Sequence, residues 1–129
     1  MLASGVDVAS PRAHAGLLAA VAERGAILSE LPPGTPPAQH RFLVRNRLIA
    51  ALTPVTVVVQ AAQRSGALST ARQAAELRRV VLAVPGDVDN AAHVGCNELI
   101  RQRVAEMVTR AQHVREMVLP LGEGLVATG

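Results

Sequence analysis

The stretch VTVVVQAAQRSGALSTARQAAELRRVVLAVPG, Val55–Gly86, decides the fold. Val55–Val59 is a β-branched run with Thr56 inside it, the composition of a strand buried on both faces. Ser65 and Gly66 then open a helix through about Arg78, because the serine hydroxyl can cap it and Ala67, Leu68, Ala71 and Ala75 share one side. Val80–Val84 is a second β-branched strand, closed by Pro85 and Gly86. Strand, helix and strand in this span describe a βαβ crossover, right-handed between parallel strands. The chain is α/β, with a mainly parallel sheet flanked by helices.

Working outward, Ser10 and Pro11 mark a helix start, a capping hydroxyl followed by proline at the first helical position. Leu17, Leu18 and Val21 give that helix an apolar face, and Gly25 supplies a left-handed stop. Ala26–Ser29 reads as a short buried strand. LPPGTPP, Leu31–Pro37, packs four prolines and a glycine into seven residues and is a stiff loop. A helix is expected from about Arg45 to Leu52, ended by Thr53 and Pro54, since the residue before proline avoids helical geometry. On the other side, one helix is expected from Gly95, lined by Leu99, Ile100, Val104, Met107 and Val108 and ended by Pro120 and Gly122. The last few residues should fray.

With 129 residues, the chain suffices for one domain with one core. Half of the residues are hydrophobic, so it should fold. No apolar run is long enough for a membrane span, and no secretion signal opens it. One cysteine, Cys96, excludes an internal disulfide and fits a reducing cytoplasm. The absence of Trp and Tyr, with Phe42 the single Phe, removes any mechanism built on rows of stacked aromatics. All thirteen cations are arginine. Between Leu31 and Gly86 seven arginines face one acid, net +6, whereas the flanks carry six arginines and nine acids, net −3. Arginine grips phosphate through two parallel hydrogen bonds, although a solvated basic face is the plainer reading of the same block.

Ligands of a parallel sheet bind beyond the carboxyl ends of its strands, where helix N-termini point. Two segments place phosphate-compatible groups there. In His40–Arg47, HRFLVRNR, Arg45 and Arg47 can converge if the helix begins near them, which would also aim free backbone N–H groups at an anion. In Ala61–Thr70, AAQRSGALST, Ser65 can cap, Gly66 lets an anion approach the backbone, and Arg64 adds charge. Neither segment holds G-x-x-x-x-G-K-[ST] or G-x-G-x-x-G, and an ordinary capped helix reads equally well. His93 and Cys96 have a metal-like spacing without a second pair to complete four ligands, and no nucleophile–base pair emerges. Neither a metal nor another cofactor is expected, and the chain is not expected to be an enzyme. His14, His40 and His113 read as surface residues, and Asp87 and Asp89 as a polar turn.

Five segments follow one another in order: LSELPPGTPP (Leu28–Pro37), RFLVRNRLIAAL (Arg41–Leu52), VVVQAAQRSGALSTARQA (Val57–Ala74), AVPGDV (Ala83–Val88) and GCNELIRQ (Gly95–Gln102). Together they resemble the DNA-processing protein A family, also called DprA or Smf, over about Leu2 to Arg103. The resemblance implies a Rossmann-like domain that binds single-stranded DNA, forms a homodimer and helps load a RecA-type recombinase during natural transformation. It implies that Arg45, Asn46 and Arg47 correspond to the family's R-N-R at a basic DNA pocket; on residue chemistry, Arg41 and Arg64 would assist electrostatically and Phe42 is the one possible base-stacking partner. Ser65 and Gly66 correspond to its S-G turn. Cys96, Asn97, Leu99 and Ile100 correspond to the segment near which family dimers meet.

The sequence departs from the family pattern in three places. It starts where the family is already at a middle strand, so the expectation is a partial Rossmann-like domain over 1–104, with its N-terminal part missing, and a helical tail over 105–129. Gln60 stands where Glu is frequent, and Leu77-Arg78 where a glycine is common before the next strand. Arg103 and Val104 replace the usual Gly-Ala. The alternatives are a truncated remnant serving only as a dimerisation or structural module, and a nucleotide phosphoribohydrolase. The second needs P-G-G-x-G-T-x-x-E, which Pro85-Gly86-Asp87 does not continue.

Overall fold

The computed structural model describes residues 1–119, which form two compact units, Met1–Ile49 and Ala50 onward. Five α-helices are α1 (Ala15–Arg24), α2 (Gln39–Leu52), α3 (Gly66–Glu76), α4 (Val94–Arg101) and α5 (Ala111–Val118). The strands are β1 (Val55–Val58), β2 (Val80–Ala83) and β3 (Glu106–Met107), ordered β1-β2-β3 and parallel throughout. The unit boundary falls inside α2.

The second unit contains the expected crossover. Val55 lies beside Val80 and Val58 beside Ala83, and the ladder extends through Val84 N–H to the Val58 carbonyl at 3.0 Å. Val58, Val81 and Ala83 join Ala71 and Ala74 of α3 and Cys96 and Leu99 of α4 in one buried cluster. Leu82 alternates to the other sheet face and is also fully buried, as a strand covered on both sides requires. Most of this core is alanine, so the helices approach the sheet closely. Gly95 shows how closely: a Cβ there would stand 2.7 Å from the Ala61 and Ala62 carbonyl oxygens, and its N–H bonds Ala61 O at 2.8 Å.

Downstream, the single long helix expected from Gly95 is instead α4, β3 and α5. The chain leaves α4 at Gln102, and Arg103 adopts φ 60°. Val108 N–H then bonds Ala83 O at 3.0 Å, so Glu106 and Met107 serve as a third strand. Hydrogen bonds to β2 fix this segment, a partner that lies outside any local sequence window. The expected stop at Pro120 and Gly122 lies outside the described residues.

The first unit is mostly loop. Ser10 caps nothing; a 3₁₀ turn over Arg12–His14 precedes α1, whose residues are all at least partly exposed. Gly25 ends α1 in an extended conformation with φ −158°, without the left-handed turn expected of it. Ala26–Ser29 forms no ladder; a backbone bond from Leu2 N–H to Leu28 O at 2.8 Å helps tie it down. What orders this unit is a polar knot. Ser4, 2 % exposed, donates to Val8 O at 3.1 Å, Ser29 Oγ donates to Ser4 O at 2.6 Å, and Asp7 accepts from Gly34 N–H at 2.6 Å. Gly5 lies so close to the prolyl loop that a Cβ would stand 2.7 Å from Pro32 O.

Candidate nucleic-acid interface

Helix α2 begins at Gln39, directly after the prolyl loop, six residues before the expected start. Arg45 and Arg47 are therefore mid-helix, where residues two apart point in divergent directions and no free N–H groups await an anion. This corrects the expected convergence. Arg47 is exposed and paired with Glu30. Arg45 is half-buried, its guanidinium 5.5 Å above the Phe42 ring and its Nη2 3.4 Å from Asn46 Oδ1. The Arg45 Nε–H is buried without an acceptor among the described residues. Asn46 is 5 % exposed, so it supports the helix from within. Arg41 is tied to the Pro36 carbonyl, steadying the loop ahead of the helix.

The same helix leaves Phe42, Leu43 and Val44 exposed. Guanidinium groups and apolar side chains thus alternate along one short run. The cation above Phe42 takes one face of the ring, an arrangement worth about 0.5–1 kcal/mol where solvent reaches it.

In the second unit, Ser65 caps α3: its Oγ accepts from Ala67 N–H at 3.2 Å. Gly66 is exposed at the first helical position and Arg64 is exposed just before it. The turn follows the carboxyl end of β1, the sheet edge the sequence assigned to it.

The residues expected near a dimer contact lie differently. Cys96 and Leu99 have no exposed surface, because this face of α4 packs on the sheet, so neither side chain can meet a second copy. Burial pushes the Cys96 thiol pKa up, and its Sγ lies 3.5 Å from Val58 O. The Asn97 amide clasps Gly86 twice, accepting from its N–H and donating to its carbonyl, both at 3.0 Å. Asn97 and Ile100 are half-buried, Ile100 at the edge of the core. Among the described residues no group of three or more His, Cys, Asp and Glu is placed to hold a metal ion, and no helix is long and apolar enough to cross a membrane.

A family model described as DNA recombination-mediator protein A matches residues 1–119. The chain belongs to that family. A Mycobacterium tuberculosis protein carrying the DNA processing protein DprA name is 50 % identical over 123 residues, covering 95 % of this chain and 31 % of that protein. Escherichia coli protein Smf is 42 % identical over 90 % of this chain and 31 % of its own length. The chain thus spans about a third of these family members. The X-ray structure of Streptococcus pneumoniae DNA processing protein A superposes with a TM-score of 0.82 at 36 % identity, over 92 % of this chain and 41 % of that one. The Helicobacter pylori family member, whose structure is described for its single-stranded-DNA binding mode, gives 0.80 at 29 % identity, over 88 % and 52 %.

The Ser4–Asp7 knot is the feature that sequence reasoning passed over. Its signal was a Ser-Gly pair and an Asp set against a Pro-Gly loop, with no periodic element between them to suggest that they meet.

Proposed function

We propose that this chain is a single-stranded-DNA-binding portion of a DNA-processing protein, holding backbone phosphates without reading sequence. The observation that carries the reading is Arg45, a half-buried arginine whose guanidinium is held 5.5 Å over the one phenylalanine of the chain. An arginine already ordered over an aromatic ring can turn its outer N–H groups to a phosphate oxygen, the acceptor that arginine suits best. Arg47 adds a second phosphate contact once Glu30 releases it, and Arg41 and Asn46 hold the helix that carries both. In the second unit, Arg64 and the α3 start at Ser65–Gly66 form a separate contact of the kind helix N-termini offer anions. The exposed face of Phe42 gives one base a stacking surface. The DNA-binding mode of the Helicobacter pylori relative supports this reading. Within it, residues 1–104 carry the binding module, a RecA-type recombinase receives the strand, the chain works as a homodimer, and a reducing cytoplasm suits its unpaired thiol.

The test is fluorescence anisotropy of the full chain with a labelled oligothymidylate across a salt series. Affinity should fall steeply with salt. Arg45→Ala with Arg47→Ala should weaken binding at low salt and flatten the log–log slope by about 1.4, two single-strand phosphate contacts at about 0.7 each. Salt-independent binding, or an unchanged slope in the double variant, rejects the proposal.

A further inference from the structure

Strands β1 and β2 end side by side and in register, Val58 beside Ala83, with Val84 N–H on Val58 O at 3.0 Å. Their continuations differ in sign. Beyond β1 the chain runs through exposed Arg64 into the capped start of α3 at Ser65–Gly66. Beyond β2 it carries Asp87 and Asp89, both exposed and neither in an ion pair among the described residues. A cationic turn and an acidic loop thus share one rim of the sheet, on strands about 4.8 Å apart. Gly95, in the helix that follows the acidic loop, donates its N–H to Ala61 O of the cationic segment at 2.8 Å, which keeps the two together.

The acidic loop is stiff. The Asn97 amide holds both backbone groups of Gly86, and the His93 ring lies so close that a Cβ on Gly86 would stand 2.1 Å from its Cγ. Asp87 Oδ1 accepts from Asp89 N–H at 3.0 Å, Asp87 O from Asn90 N–H at 3.1 Å, and Asn90 Oδ1 from Ala92 N–H at 3.0 Å. A loop fixed at this many points cannot swing its carboxylates away from an incoming anion. Between them Val88 is 82 % exposed, a surface that a base can cover and from which a phosphate gains nothing.

We propose that Asp87 and Asp89 make this rim selective for single strands by repelling the second backbone of a duplex; the inference rests on the phosphate contact proposed for Arg64 and Ser65–Gly66. The two backbones of duplex DNA face each other across grooves about 6 and 12 Å wide, so a phosphate seated at the α3 start brings those of the opposite strand within that distance. The Debye length is about 10 Å at 0.1 M salt, so the carboxylates are felt there at low and moderate ionic strength. A single strand has no second backbone and turns its bases toward Val88. Selectivity of this kind comes from a penalty on the wrong ligand, not from a tighter grip on the right one.

The experiment measures anisotropy of the full chain at low salt with two labelled probes, oligothymidylate and a blunt-ended dA·dT duplex of the same length. Wild type should bind the single strand more tightly than the duplex. Asp87→Asn with Asp89→Asn removes both charges and keeps the acceptor that closes the loop. It should tighten duplex binding about fivefold, two like-charge pairs at about 8 Å in water, and oligothymidylate binding less than about twofold. Asp89→Asn alone changes a carboxylate that accepts no hydrogen bond among the described residues, so it keeps the loop intact and should give about a twofold gain on the duplex. Glu76→Gln with Glu106→Gln takes the same charge from the end of α3 and the start of β3, the opposite edge of the sheet, and should leave the ratio of the two affinities unchanged. Equal wild-type binding of both probes, no duplex gain in either Asp variant, or an equal gain from the Glu pair overturns the inference and leaves the DNA reading standing. A wild-type chain that does not bind oligothymidylate overturns both.

Discussion

The two units are ordered by different physics. From Ala50 onward the chain closes around a parallel sheet whose central strand is buried, with Leu82 and Leu99 fully inside. Before it, Met1–Ile49 has one buried hydrophobic side chain, Ala3, and relies on Ser4, Asp7 and Ser29 bonding backbone across its loops. Burying a leucine is worth about 1.5–3 kcal/mol, whereas a neutral hydrogen bond contributes nearer 1 kcal/mol net. A loop-built unit therefore holds shape with little energy in reserve, and it is the unit that carries Arg41, Arg45 and Arg47. The lesson is a division of labour: one half supplies stability, and the other presents cations on a framework that needs little core.

The largest effect that could break this contrast comes from Leu99→Ala. It should cost about 2–5 kcal/mol in urea unfolding, while Leu17→Ala on α1, 59 % exposed, should change stability by less than about 0.5 kcal/mol. Comparable losses at both positions would mean that the first unit hides a core of its own. Next comes Gly95→Ala, which forces a methyl against two backbone carbonyls and should lower stability by about 1–3 kcal/mol, read from the denaturation midpoint. The smallest effect sharpens the contrast. Glu30→Gln removes an exposed ion pair and should shift stability by less than about 0.5 kcal/mol. The same change frees Arg47 and should tighten oligothymidylate binding measurably at low salt. No gain in affinity would mean that Arg47 is not a phosphate contact.

Much of the second unit was legible because its signals are local. The β-branched runs place β1 and β2 to within one residue at each end, and Ser65-Gly66 marks the capped start of α3. Ala74 was the buried alanine that the helical spacing left out. Legibility failed where a long-range contact or a backbone angle decides. Nothing in the residue types at Gln102-Arg103 announces a stop, because arginine is a poor choice for a left-handed turn, so the apolar spacing ran on through β3. In the first unit, the two prolines ahead of Ala38 were the available sign that α2 starts early. Without that start, the spacing of Arg45 and Arg47 suggested a convergence that helical geometry forbids. Family resemblance named the candidate residues; their divergence needed the helix.

The lone sulfur has a practical consequence. Lacking indole and phenol groups, the protein is nearly silent in ordinary ultraviolet assays. Its thiol sits in the middle of the second unit, sealed from solvent and held protonated by that burial. An alkylating reagent can reach it only when that unit opens, so the rate of labelling at Cys96 is a native clock for unfolding, requiring no engineered fluorophore.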